Sequence, residues 1–193
     1  RRAPCYTLIQ GTWNSSLNEG VTRGTTIGDF DNDGMKEILA FVQYSGRGKN
    51  PSYRKALVYK EGSTGTPSYI SPNMGYVLNG VRDAIIADVN NDGFNEVVVG
   101  MPYFVEVWRW NGVDLERIWR SEDLSEWIWH VDVGDADNDN QNEIVLAMFR
   151  MGSAIIYEYL GNDTWGNKMI TQSIGYENID EARVRDADND GLK

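Results

Sequence analysis

The stretch Asp29-Phe30-Asp31-Asn32-Asp33-Gly34-Met35-Lys36-Glu37, running at once into Ile38-Leu39-Ala40-Phe41, decides how this chain is read. It recurs. Asp88-Val89-Asn90-Asn91-Asp92-Gly93-Phe94-Asn95-Glu96 leads into Val97-Val98-Val99-Gly100. Asp135-Ala136-Asp137-Asn138-Asp139-Asn140-Gln141-Asn142-Glu143 leads into Ile144-Val145-Leu146-Ala147. A fourth copy begins as Asp186-Ala187-Asp188-Asn189-Asp190-Gly191-Leu192. Carboxylates at positions 1, 3 and 5 of so tight a loop converge on one point and repel one another. A hard divalent cation relieves that repulsion, and Ca²⁺, with six to eight oxygens at about 2.3–2.6 Å and a flexible geometry, suits it best. Position 6, where the turn wants positive φ, is Gly34, Gly93 or Gly191, with Asn140 as the substitute in the third copy. Position 7 (Met35, Phe94, Gln141) offers a backbone carbonyl, and position 9 is Glu37, Glu96 or Glu143.

An EF-hand shares positions 1, 3, 5 and 6 but needs a bidentate Glu at position 12 and a helix after the loop. Here position 12 is Ala40, Val99 or Leu146, and the residues after each loop are apolar and often β-branched, which predicts a buried strand. Mg²⁺ fits less well, because it demands stricter octahedral geometry and keeps its waters. A solvated acidic turn would explain one copy; four copies with the same internal spacing point to a bound ion.

The chain has 193 residues and a net charge of −11, and fourteen of its 29 acidic residues lie in the four loops. Its acidity is therefore concentrated in the candidate sites. Nothing resembles the basic stripe of a nucleic-acid surface. No apolar run approaches the length of a membrane helix, so no membrane span is expected in this segment. A single cysteine, Cys5, rules out an internal disulfide. The sequence begins Arg1-Arg2 and breaks off within a loop, and reads as a piece of a larger protein.

Successive loops start 59, 47 and 51 residues apart. A period near fifty with several short strands per repeat predicts an all-β fold. Its units are β-propeller blades of four antiparallel strands, with the acidic loop between the first and second. Residues 1–20 read as the end of a preceding blade. Blades follow at 21–79, 80–126 and 127–179, with loops 29–37, 88–96 and 135–143, and 180–193 opens a further blade. The fourth strand of the first blade is expected near Tyr76-Val77-Leu78. Isolated blades lack neighbours to bury their faces, so a partial propeller is expected to need either the rest of its ring or other copies of the chain.

On these residues the chain resembles the FG-GAP repeats of the integrin α-subunit propeller and the related VCBS repeats of surface proteins. Glu96-Val97-Val98-Val99-Gly100-Met101-Pro102 follows the family's apolar strand ending in Gly-Ala-Pro, with Met101 at the Ala position. The resemblance implies metal ligands at Asp29, Asp31, Asp33 and Glu37; at Asp88, Asn90, Asp92 and Glu96; at Asp135, Asp137, Asp139 and Glu143. Asp186, Asp188 and Asp190 would start a fourth site, giving three to four Ca²⁺ ions. It also implies adhesion or ligand binding, with the ligand on the face opposite the calcium loops. There the expected binding residues are Tyr44, Arg47, Tyr53, Arg54, Tyr103, Trp127, Tyr176 and Glu177, since aromatic and Arg side chains anchor interfaces. The competing use of these aromatics is packing between blades, and the pairs Trp108/Trp110 and Trp127/Trp129 fit that better than sugar stacking.

His130 is isolated and reads as structural. Asn14 and Asn162 head N-glycosylation patterns. No phosphate loop, Ser-His, Cys-His or zinc-type cluster is visible, so the chain is not expected to be an enzyme. The expected function is a calcium-stabilised recognition or adhesion module of a cell-surface or secreted protein, with a protein or glycan partner. The alternatives are a self-assembling extracellular surface or filament subunit, and the propeller of a polysaccharide lyase. The extracellular expectation rests on calcium, because modules of this kind bind it at about 10⁻⁴–10⁻³ M.

Overall fold

The computed structural model describes residues 21–44, 52–62, 66–75, 80–150, 152–171 and 179–186, and they form an all-β molecule. Twelve strands make three four-stranded antiparallel sheets, each a simple up-and-down meander in chain order. The first sheet holds β1 (Val21–Gly28), β2 (Glu37–Tyr44), β3 (Tyr53–Tyr59) and the short β4 (Tyr69–Ile70). The second holds β5 (Asp83–Ala87), β6 (Glu96–Gly100), β7 (Val105–Trp110) and β8 (Leu115–Arg120). The third holds β9 (Ile128–Gly134), β10 (Glu143–Met148), β11 (Ala154–Gly161) and β12 (Thr164–Ile170). Each acidic loop joins the first strand of a sheet to its second, as expected.

The sheets pack side by side, with β1 against β5 and β5 against β9, so the first strands line one side of the array. This arrangement is consistent with propeller blades. The β-branched runs after the loops explain why it holds together. All five residues of β6 are buried. Alternate side chains of a strand point to opposite faces, and Val97 and Val99 accordingly join the core between the first and second sheets. Val98 joins the core between the second and third. One apolar strand thus serves two cores, which is why its sequence is a continuous apolar run rather than an alternating one.

Where first strands approach, side chains are trimmed. A Cβ on Gly28 would sit 2.7 Å from Ile86 Cβ, and one on Gly134 would sit 3.0 Å from Val184 Cγ1. The segment 179–186 therefore packs on the third sheet much as β5 packs on the first. Buried Asp132 on β9 fixes it by accepting a hydrogen bond from the Val184 N–H at 2.9 Å.

Two expectations change. The fourth strand of the first sheet is Tyr69–Ile70, earlier than the Tyr76-Val77-Leu78 stretch, which lies outside the described residues. Tyr69 belongs there because its ring packs on Trp110 at 5.0 Å and its hydroxyl donates to Asp114 at 3.0 Å, tying β4 to the next sheet. Arg54 does not lie on a binding face. It is fully buried, and its guanidinium donates to Glu106 Oε2 and to the Met74 carbonyl, both at 2.7 Å. Glu106 also accepts from Arg117 and Trp108. A charge this deep persists only when paired and hydrogen-bonded, and here it links β3 to β7.

Candidate metal centre

Each loop is first a hydrogen-bonded turn. The Asp at position 1 accepts the N–H groups of positions 5 and 6: Asp29 from Asp33 and Gly34 at 3.0 and 2.9 Å, Asp88 from Asp92 and Gly93 at 3.1 and 2.9 Å, Asp135 from Asp139 and Asn140 at 3.1 and 3.0 Å. Position 6 has φ of 88° at Gly34, 90° at Gly93 and 69° at Asn140, as the turn requires. The position-9 glutamate, the first residue of the second strand, reaches back. Its Oε2 accepts the N–H of position 2, from Phe30 at 3.3 Å, Val89 at 3.3 Å and Ala136 at 2.7 Å. Its other oxygen, Oε1, takes no part in that bond.

The loops differ at that centre. In the first, one carboxylate oxygen each from Asp29, Asp31 and Asp33 lies within 4.8 Å of the others. Glu37 is fully buried, and its Oε1, like Asp31 Oδ1, has no hydrogen-bond partner among the described residues. Burial and the neighbouring Asp31 charge push the Glu37 carboxyl above its ordinary value. Buried carboxylate oxygens without donors, in a ring of acids, fit a hard cation. In the third loop, Asp135, Asp137 and Glu143 form a second group of the same dimensions, and Asp139 accepts the Gln141 N–H. Asp29, Asp31, Asp33 and Glu37, and Asp135, Asp137, Asp139 and Glu143, are the side chains that could hold ions. Met35 and Gln141 carbonyls could complete the shells. The second loop forms no such group among the described residues. Asp186 is described, whereas Asp188 and Asp190 lie outside the described residues.

Strand pairing brings one further residue to each centre, and the sequence reading missed it. Tyr59, Trp108 and Tyr157 pair with Ile38, Val97 and Ile144. The next residues along, Lys60, Arg109 and Glu158, therefore lie across from the position-9 glutamates. The Lys60 ammonium sits 2.8 Å from Asp31 Oδ2, 2.7 Å from Asp33 Oδ2 and 4.0 Å from Glu37 Oε1. Those bonds raise the lysine's pKa and lower that of Asp33. Arg109 Nε lies 3.1 Å from Glu96 Oε1. Burial pushes the Glu96 carboxyl up to about 7 against the pull of that guanidinium. The only sequence signal for these residues was their place at the end of the third strand or within it, and it needed the register to be read.

The loops are also stitched to one another. Asn32 Oδ1 accepts the Asn95 N–H at 2.7 Å, and Asn95 Nδ2 donates to the Asp29 carbonyl at 2.8 Å. One blade on, Asn91 Oδ1 accepts the Asn142 N–H at 2.7 Å, and Asn142 Nδ2 donates to the Asp88 carbonyl at 2.7 Å. The signal was available: position 4 is Asn32, Asn91, Asn138 and Asn189 in the four copies.

The opposite end carries the β6–β7, β8–β9 and β10–β11 connections. Tyr103, Ser125, Glu126, Trp127, Phe149 and Arg150 line a shallow cavity of about 200 Å³ there. Trp127 and Trp129 stack on Phe149, with ring centres 5.8 and 4.8 Å away, and the Arg82 guanidinium lies 4.3 Å from the Trp127 ring centre. Tyr103 and Trp129 are each 36% exposed. Of the other expected binding residues, Tyr44 is buried and stacked on Tyr53 at 5.3 Å. Arg47, Tyr176 and Glu177 lie outside the described residues. Trp108 is buried between sheets, and Trp110 packs beside it. His130 Nε2 lies 3.5 Å from Asp83 Oδ2, which also accepts the Val131 N–H. Asn162 is exposed on the β11–β12 turn; Asn14 and Cys5 lie outside the described residues.

A search among curated proteins found no match. Residues 88–146, from the second acidic loop into β10, do match a family model, the one described as FG-GAP-like repeat.

Proposed function

We propose that the chain is a calcium-stabilised recognition module of a cell-surface or secreted protein. In this reading Ca²⁺ fills the first and third loops, fixing one end of the sheets, while the opposite end binds a protein or glycan. The observation that carries the calcium half is the fully buried Glu37, beside a ring of three aspartates, whose Oε1 has no hydrogen-bond donor among the described residues. Calcium is favoured over magnesium because the loops offer carboxylates and a carbonyl at flexible spacing.

The binding half is supported by the cavity beside Tyr103 and Trp127, where aromatic faces and Arg82 and Arg150 lie together at a partly open surface. Loops at the end of a rigid scaffold are where such surfaces sit. Aromatic faces and arginines are the groups that anchor partners. The test is binding of the whole chain, in millimolar Ca²⁺, to arrayed glycans and immobilised extracellular-matrix proteins. Tyr103→Ala and Trp129→Ala are expected to weaken a detected interaction at least tenfold without lowering the melting temperature by much. Binding unaffected by either substitution would place the ligand elsewhere and contradict this half of the reading.

A further inference from the structure

We propose that the second acidic loop is closed by the Arg109 guanidinium in place of a metal ion, so that the repeat units alternate between metal-filled and arginine-filled centres. This rests on the reading that the first and third loops take metal. Three observations set the second loop apart. The inward oxygen of its glutamate, Glu96 Oε1, is already met by Arg109 Nε at 3.1 Å, whereas Glu37 Oε1 has no hydrogen-bond donor among the described residues and lies 4.0 Å from the Lys60 ammonium. Position 3 is an amide: Asn90 Nδ2 donates to Asp92 Oδ2 at 3.0 Å, turning one of its groups into a donor toward the centre. Arg109 is also pinned from outside the loop, because its two terminal nitrogens bond both oxygens of Asp163, on the β11–β12 turn of the next sheet, at 3.2 and 2.9 Å.

The pinning decides between a resident and a displaceable cation. A planar guanidinium fork held bidentately is pre-organised and weakly hydrated, which suits it to a fixed, part-buried ion pair. Lys60 in the first loop holds only loop carboxylates, on a flexible stem about one-third exposed. An ammonium is strongly hydrated and free to swing out, so a divalent ion can take its place. The Arg109 fork cannot leave without breaking the Asp163 bonds between the second and third sheets. In the second loop the arginine thus neutralises Asp92 and Glu96, and the same contact joins two blades.

The experiment counts ions bound by the whole chain in equilibrium dialysis against Ca²⁺, for the wild type and for Asp33→Asn, Asp139→Asn and Asp92→Asn. Asp33→Asn and Asp139→Asn are each expected to lower the count by one, and Asp92→Asn to leave it unchanged. A loss of one ion in Asp92→Asn overturns the proposal. A wild type that binds no ion contradicts the calcium reading instead, so the two failures are distinct. Should a variant fail to fold, wild-type crystals soaked in Tb³⁺ give the answer. Anomalous peaks at the first and third loops with none at the second support the proposal, and a peak within the second loop overturns it.

Discussion

At the scale of single residues, the loops are built on side chains that satisfy backbone donors before any ion is considered. Asp29, Asp88 and Asp135 hold their own turns, and Asn32 and Asn91 reach into the next loop. Asn32 adopts φ of 60°, a conformation that asparagine tolerates better than most residues. Asn32→Ala removes the acceptor for the Asn95 N–H and strains the turn. The bond is part-buried, so the expected loss is that of an ordinary hydrogen bond, about 0.5–1.5 kcal/mol, measured by urea unfolding. No loss in that measurement would show the stitch to be incidental. The acidic positions were legible from the sequence because carboxylate spacing within a loop is local. The stitch was legible in part, as a recurring Asn, but its partner sits 63 residues away in sequence.

Elements pair according to signals of two kinds. Strands with continuous apolar or β-branched runs were placed well: the runs after the acidic loops, expected as buried strands, are Glu37–Tyr44, Glu96–Gly100 and Glu143–Met148. The outer strand of the first sheet was read less well, because it pairs with one neighbour only and is short. Tyr69–Ile70 carries little beyond one aromatic anchor. Charge inside the sheets was missed altogether. Arg54 reads as a surface residue from type alone, since charged residues are almost never buried unless paired, and its partner Glu106 is on another sheet. Glu106→Ala would leave that guanidinium buried without its counter-charge, and is expected to cost about 3–5 kcal/mol. A denaturant midpoint within error of wild type would contradict the role given to this pair.

For the molecule as a whole, stability is distributed between two cores and one row of loops. The cores lie between sheets rather than within any one of them, and each sheet depends on its neighbours. The loops, all at one end, are where those neighbours also touch through side chains: Asn95 and Asn142 across successive loops, Arg109 to the next sheet's turn. An ion in the first or third loop therefore stiffens an inter-sheet boundary as well as its own turn. The period near fifty made this architecture legible, since a repeat that cannot bury its own faces must stack. Of the differences among the three centres only Asn90 at position 3 was legible; the rest depend on a residue brought across by strand register. Two ions that bind only the folded form, at a hundredfold above their dissociation constant, would together stabilise the chain by about 5 kcal/mol. That is comparable with the roughly 5–15 kcal/mol that separates most folded domains from their unfolded chains.

The most direct measurement is thermal unfolding of the whole chain in millimolar Ca²⁺ and again in excess chelator. Removal of calcium is expected to lower the melting temperature by about 10–20 °C, from that free energy and the usual shift per kcal/mol for a chain of this size. Readdition of Ca²⁺ should restore it, and Mg²⁺ should do so less well. Superimposable melting curves with and without calcium would contradict the account, leaving the loops as hydrogen-bonded turns closed by Lys60 and Arg109 alone.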